Sequence, residues 1–230
     1  MTNPQRIAAV LPAAGQGSRM QTTVAKQFLQ INGQTMLQHS IAAVLQDKRV
    51  EHVFVAINTD NKQPIPSASA DVSFVQGGQT RAESVLSGVL HAMTQGFSHV
   101  VVHDAARPGL PADVLSAVID AGTVDDNGAI VAMPVRDSLK RSEPDHQIVS
   151  TQVSRDGLWQ AQTPQVFAVG LLADAISEMG ITHDSLTDEA AAMECLGYHP
   201  KLVMGSLKNL KVTHPEDLEL MTALLKPSPQ

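Results

Sequence analysis

With 230 residues, 43% of them hydrophobic, the chain has material for one large α/β domain with a full core. A formal charge of −7 argues against a general nucleic-acid binder, which carries a basic stripe, while leaving room for a nucleotide gripped by a few focused cations. The single cysteine, Cys195, excludes an internal disulfide and a cysteine-based zinc site, and no run of about 18 apolar residues could span a membrane.

The N-terminal residues lack a secretory pattern, so a cytoplasmic protein is expected. Aromatic residues make up only 3% of the chain, which predicts an aliphatic core, with Cys195 expected to pack near the end of a helix. The first element, Ile7-Ala8-Ala9-Val10-Leu11, reads as a buried parallel strand. It runs into Pro12-Ala13-Ala14-Gly15-Gln16-Gly17-Ser18-Arg19-Met20, with Lys26 six residues further on. Small residues there would let a base or polyanion lie against bare backbone. Gly15 and Gly17 are expected to take angles that other residues resist, freeing amides to face phosphate oxygens. Arg19 and Lys26 add two positive charges beside them.

An Asn32-Gly33 turn follows, then a helix over residues 36–46 and a strand over 53–57. Residues 58–71 read as a loop, 72–75 as a short strand closed by Gly77-Gly78, and Gln79 to Ser84 as the opening of a second helix. Val100-Val101-Val102 is a strand that ends in His103-Asp104-Ala105-Ala106-Arg107-Pro108 and turns into a third helix; residues 129–133 form another strand. This alternation predicts a single Rossmann-like domain over 1–230, a mostly parallel sheet with helices on both faces. After Pro134 the pattern becomes polar and alternating. Residues 135–153 read as a protruding β-arm with a Glu143-Pro144-Asp145 turn, suited to dimerisation. Beyond it come a Thr163-Pro164-Gln165 turn within 159–167, a helix near 172–179, and another helix opened at Thr187 and stopped by Gly197. Short strands are expected at 202–203 and 210–212. A Thr213-x-x-Glu216 capping box with Pro215 opens the last helix.

Ligands of open parallel sheets sit beyond the carboxyl ends of the strands. The residues there are rich in Gly, Arg and Asp, the ingredients of a phosphate site. A Walker A loop would need Gly-Lys-Ser/Thr after its gap, and the dinucleotide fingerprint a small residue where Met20 stands. Neither fits. The histidines show no zinc spacing, and no Gly-x-Ser-x-Gly elbow supports a hydrolase.

Leu11-Pro-Ala-Ala-Gly-x-Gly-x-Arg-Met20 with Lys26 resembles the signature of sugar-phosphate nucleotidyltransferases. The Gly77-Gly78-x-x-Arg81-x-x-Ser84-Val85, His103 to Pro108, Pro134 to Asp137, Thr163 to Gln165, Thr187 to Glu189 and Lys211 to Thr213 motifs narrow it. In that order, over about residues 7–220, they resemble the 2-C-methyl-D-erythritol 4-phosphate cytidylyltransferases. The resemblance implies transfer of a cytidylyl group from CTP to the polyol phosphate, with pyrophosphate leaving, in non-mevalonate isoprenoid synthesis. A ribitol 5-phosphate cytidylyltransferase and a non-catalytic CTP-binding subunit are the rival readings.

By the same resemblance Arg19 and Lys26 stabilise the transition state, and Arg155 and Lys211 hold the attacking phosphate. Asp104, Arg107, Ser138, Thr163 and Thr187 match further substrate contacts. Ala13, Ala14, Gly78 and Ser84 match the cytosine pocket, with Pro12, Gly15, Gly17, Gln79, Asp104 and Ala105 completing the CTP contacts. Arg81 reads equally as a ligand contact or a brace for its loop. The resemblance also implies Mg²⁺ bridging the CTP phosphates, with Asp104 the best nearby carboxylate, and a homodimer through the arm that brings Ser138 near the partner's site. Two positions depart from the family pattern: Ser138 stands where threonine is common, and Gln79 where an acidic residue can help read cytosine. No room is expected for the cyclodiphosphate synthase domain of bifunctional relatives.

Overall fold

A computed structural model of the chain describes residues 5–15, 24–58, 70–143, 148–181, 183 and 185–226. The apolar run Ile7–Pro12 forms β1. A hairpin of β2 (Gln30–Ile31) and β3 (Gln34–Thr35) follows. Its turn holds Asn32 and Gly33 at φ 48 and 86, the paired left-handed geometry that Asn-Gly favours. Helix α1 (Met36–Val44) starts at a capping box in which Thr35 and Gln38 satisfy each other's backbone amides. Strands β4 (Val50–Ile57) and β5 (Val72–Gln76) lead to α2 (Arg81–Thr94), capped in the same way by Thr80 and Glu83. Then come β6 (His99–Val102), α3 (Ala112–Gly122), β7 (Ala129–Pro134), β8 (Leu139–Ser142) and β9 (Val149–Val153). The chain continues through β10 (Trp159–Ala168), α4 (Val169–Met179), α5 (Glu189–Cys195), β11 (Lys201–Met204) and α6 (Pro215–Leu224).

The main sheet has seven strands in the order β11-β7-β10-β6-β1-β4-β5. β1 pairs in parallel with both β4 and β6, β4 with β5, and β7 with β11; only β10 runs against its two neighbours. Successive residues of β1 point to opposite faces, and both faces are dry. Ile7, Ala9 and Leu11 belong to the cluster with α1 and α3, while Ala8 and Val10 join Val85, Val89, Leu172 and Met193 of α2, α4 and α5. The expected mostly parallel sheet with helices on both faces is what forms. A third cluster, around Ile31, Met36, Ala106, Val212 and Met221, seats α6 beside the hairpin.

The order of connections fixes the site. From β1 the chain moves outward to β4 and β5, then returns to place β6 on the other side of β1. Loops from β1 and β6 therefore diverge above a crevice, the place where open α/β sheets bind ligands.

Four local readings change. Residues 159–167 hold no turn: they are part of β10, which absorbs Thr163 and the cis Pro164 through a register shift between Ala161 and Gln165. Residues 210–212 are not a strand. A short 3₁₀ turn, Leu207–Asn209, precedes them, and the Val212 amide bonds the Ala106 carbonyl, drawing the segment toward the crevice. At α6 the cap lies one residue later than expected, because the Asp217 carboxylate, rather than Glu216, accepts from the Thr213 and His214 amides. Cys195 is exposed, since α5 buries the face carrying Glu189, Ala190, Ala192 and Met193.

The arm forms its own two-stranded sheet, β8 with β9, and most of its side chains are exposed. The Glu143-Pro144-Asp145 turn extends into residues 144–147, which lie outside the described residues.

Candidate active site

At the end of β6, Asp104 is the centre of a buried ion cluster. Its Oδ1 pairs with Arg81 Nε at 3.0 Å, and its Oδ2 with Lys211 Nζ at 2.9 Å and Arg107 Nε at 3.4 Å. Burial alone would raise the Asp104 carboxyl. The charges of Arg81, Lys211 and Arg107 overcome it and hold the group far below the usual carboxylate range. Arg81 extends the cluster: its terminal nitrogens grip the Glu189 carboxylate at 2.6 and 3.1 Å. Burial works against the Arg81 charge, but Glu189 and Asp104 raise its pKa above the ordinary value.

A chain of neutral hydrogen bonds locks the backbone beneath. The Asp104 amide donates to Thr163 Oγ1 at 2.9 Å, and Thr163 Oγ1 lies 3.0 Å from His103 Nδ1. His103 Nε2 sits 3.0 Å from the Arg107 carbonyl, an acceptor only, so the ring must donate there. The neutral tautomer then leaves Nδ1 to accept the Thr163 proton. Full burial pushes the His103 pKa down to about 4, in keeping with that assignment. Arg107 Nη1 donates to the Asn209 carbonyl at 2.8 Å, and Asn209 Nδ2 to the Thr163 carbonyl at 2.7 Å, tying the segment before Lys211 to the same floor.

Above this floor opens a cleft of about 340 Å³. Its walls come from four places: Pro12 to Gly15, with Lys26 and Gln27; Gly78 to Arg81, with Ser84; Asp104 to Ala106; and Lys211 with Thr213. The first loop is held by Gln27, a buried side chain whose Nε2 donates to the carbonyls of Ala13 at 2.6 Å and Gly15 at 3.1 Å. Gly15 does not take the special backbone angle expected of it: its φ lies outside the left-handed region, and a Cβ there would meet nothing within 4 Å. At Gly77 the approach is tight, because a Cβ would stand 2.6 Å from the Ala14 methyl. Lys26 Nζ donates to the Val212 carbonyl at 3.2 Å, which brings two segments 186 residues apart to one wall. Ser84 Oγ accepts from the Gly78 amide and donates to the Thr80 carbonyl, shaping the second loop. The Gln79 and Thr80 amides are bonded to Glu83.

Small residues at Ala13, Ala14, Gly15, Gly78 and Ala105, with Lys26 and Lys211 in the same lining, suit a nucleotide: a base against backbone and phosphates toward the lysines. The model of the family described as IspD: 2-C-methyl-D-erythritol 4-phosphate cytidylyltransferase matches residues 7–227. A relative of that name from Idiomarina loihiensis is 53% identical over 221 residues, covering 92% of this chain and 87% of the relative. The chain belongs to this family. One from Escherichia coli O7:K1 is 44% identical over 217 residues, covering 93% of this chain and 91% of its own. The solved structure of 2-C-methyl-D-erythritol 4-phosphate cytidylyltransferase from Thermus thermophilus superposes with a TM-score of 0.80 at 30% identity, covering 96% of this chain and 98% of that one. Membership makes this protein a cytidylyltransferase, an enzyme of isoprenoid biosynthesis.

For a cytidylyltransferase the residues read from the sequence fall into four groups. Pro12, Ala13, Ala14, Gly15, Gly78, Gln79, Ser84, Asp104, Ala105, Lys26 and Lys211 all line the cleft. Arg107 and Thr163 are buried in the floor, bonded to Asp104 and Asn209, and do not line it. Ser138, Arg155 and Thr187 are exposed and do not line the cleft. Gly17 and Arg19 lie outside the described residues. Gln27, Thr80, Ala106 and Thr213 line the cleft without having been singled out as contacts. The signal for Gln27 was weak, a glutamine beside Lys26; only the folded loop shows its two carbonyl bonds.

Proposed function

We propose that the cleft binds CTP and that the enzyme joins its cytidylyl group to 2-C-methyl-D-erythritol 4-phosphate. A phosphate oxygen of the polyol phosphate attacks the α-phosphorus in line. The new P–O bond forms as the bond to the bridging oxygen breaks, and pyrophosphate leaves with that electron pair. Charge grows on the α-phosphate and on pyrophosphate, so positioned cations supply most of the catalysis. Lys26 is the described cation for this task, with Arg19 assigned to it by family resemblance, and the same resemblance assigns Lys211 to hold the attacking phosphate. The base lies against Ala13, Ala14 and Gly78, where small residues allow backbone to read its edge.

Among the described residues no group of three His, Cys, Asp or Glu side chains could hold a metal ion. Both Asp104 oxygens are already ion-paired. The residues therefore do not fit a protein-built Mg²⁺ cage, and the ion is proposed to arrive on the oxygens of CTP, which is how Mg²⁺ often binds. Arg155 and Ser138, exposed at the base and root of the arm, are assigned to the acceptor phosphate across a homodimer in which one protomer's arm reaches its partner's cleft. No helix among the described residues is long and apolar enough to cross a membrane, in keeping with a cytoplasmic enzyme.

The observation that carries this reading is the convergence of Lys26, Lys211 and the small-residue loop at the crevice of a family member. Pyrophosphate release measured with CTP and each polyol phosphate tests it. Turnover with methylerythritol 4-phosphate is expected. Turnover with ribitol 5-phosphate alone would replace the acceptor, and CTP binding without turnover would mean a regulatory subunit.

A further inference from the structure

We propose that Glu189 is a positioning residue for cytidylyl transfer, acting through Arg81 and Asp104 on Lys211; this rests on Lys211 serving the reaction as above. Glu189 is 2% exposed and does not line the cleft, yet it faces both terminal nitrogens of Arg81, which does. Its place is fixed from both sides. Asp188 caps α5 by accepting from the Ala191 amide at 3.0 Å. Gln165 of β10 donates to Asp188 Oδ2 and accepts from the Ala190 amide, each at 2.9 Å. The first turn of α5 is thus bolted to the sheet, and Glu189 with it.

The geometry of an arginine explains the consequence. Its two terminal nitrogens form a fork that matches one carboxylate, while Nε offers a single side donor. Because the fork is engaged by Glu189, Arg81 can give Asp104 only Nε, and takes only Oδ1. Oδ2 is left for Lys211 at 2.9 Å. Without the Glu189 charge the fork would be free to rotate onto both Asp104 oxygens and compete with the ammonium. Glu189 therefore divides the Asp104 carboxylate between a brace and the cation that faces the cleft.

Glu189→Gln keeps the size and removes the charge. A drop in kcat of about tenfold is expected, less than the roughly hundredfold that a full 1 Å misplacement costs, with KM for CTP little changed. Glu189→Asp should recover part of the loss. In a Lys211→Ala background, single-turnover rates should change less than twofold on adding Glu189→Gln, because the group acted upon is gone. Wild-type kcat in Glu189→Gln, or an undiminished loss in the Lys211→Ala background, would overturn the proposal and leave only a structural ion pair. Should Glu189→Gln fail to fold, Arg81→Lys retains the charge without the fork and must show the same dependence on Lys211. Near-normal turnover in Lys211→Ala alone would instead remove the assigned role of Lys211.

Discussion

At the floor of the cleft Asp104, Arg81, Arg107, Lys211 and Glu189 contact one another as ions, whereas on the arm Lys140 reaches a neutral Gln152 at 2.8 Å in solvent. Both regions are polar in sequence. Burial separates them: Asp104 and Glu189 are 6% and 2% exposed, while β9 is exposed along most of its length. Away from water each charge is stabilised chiefly by its neighbours, so removing one strands the others. On the arm water replaces any lost partner. Polar residues in the first region hold geometry, and in the second they stay solvated.

The sharpest way to break this contrast is Asp104→Asn. Three cations would lose their shared anion, and a loss of about 3–5 kcal/mol in folding stability is expected, as for removal of one partner of a buried pair. Urea unfolding checks it; a loss under 1 kcal/mol would mean that the floor is as well hydrated as the arm. Lys26→Ala and Lys211→Ala come next. Each should lower kcat by roughly a hundredfold or more, for Lys26 by loss of a donor aimed at developing charge and for Lys211 by misplacing the attacking phosphate, while circular dichroism stays unchanged. Near-normal rates in either variant would remove that lysine from the mechanism.

The buried His103 gives the floor a pH signature that the arm lacks. Its folded pKa, pushed down to about 4 by burial, lies below the ordinary value of 6.5. The unfolded chain therefore binds the proton first. Stability is complete above pH 6.5 and falls as pH drops from 6.5 toward 4, by at most about 3 kcal/mol. Asp104, held far below its ordinary value, adds a further loss as the pH falls below about 3.9, where the unfolded carboxyl protonates. Urea midpoints across this range should show both losses, and His103→Gln should shrink the upper one, leaving the part due to His52 and His99, which burial also holds below the ordinary value. A wild-type curve flat between pH 6.5 and 4 would contradict a neutral buried imidazole.

Much of this floor was written in the sequence as motifs, but not with the roles the motifs first imply. The parallel strands were legible because Ile7 to Leu11 and Val100 to Val102 are unbroken apolar runs, and the arm because that pattern stops at Pro134. Arg107 and Thr163 look like ligand contacts in a linear reading, since charged and hydroxyl groups beside a strand end usually face a site. In the fold they turn inward, to Asn209 and to the Asp104 amide. Glu189, which the sequence shows only as the end of the Thr187 to Glu189 motif and with no role of its own, becomes the partner of an arginine 108 positions away. Such long-range pairs leave no local period. For the same reason residues 210–212 look like a strand: their apolar pattern cannot reveal that the Val212 amide bonds Ala106 instead of a ladder neighbour.

The smallest expected effect is on the arm. Lys140→Ala removes one exposed hydrogen bond to Gln152, and stability should move by no more than about 0.5 kcal/mol. Arg155→Ala, at a likewise exposed position, should be equally mild for folding, since water solvates whatever the guanidinium leaves behind. Their activities should nevertheless diverge. If the arm delivers Arg155 to the acceptor phosphate of the neighbouring protomer, Arg155→Ala raises KM for methylerythritol 4-phosphate while the affinity for CTP holds, and Lys140→Ala leaves both unchanged. Mixing Arg155→Ala with Lys211→Ala protomers sharpens the test. Complementary sites would form in the mixed dimer, and partial recovery of turnover means that each cleft is completed from across the interface. No recovery above the two parents would place Arg155 and Lys211 in the service of the same protomer.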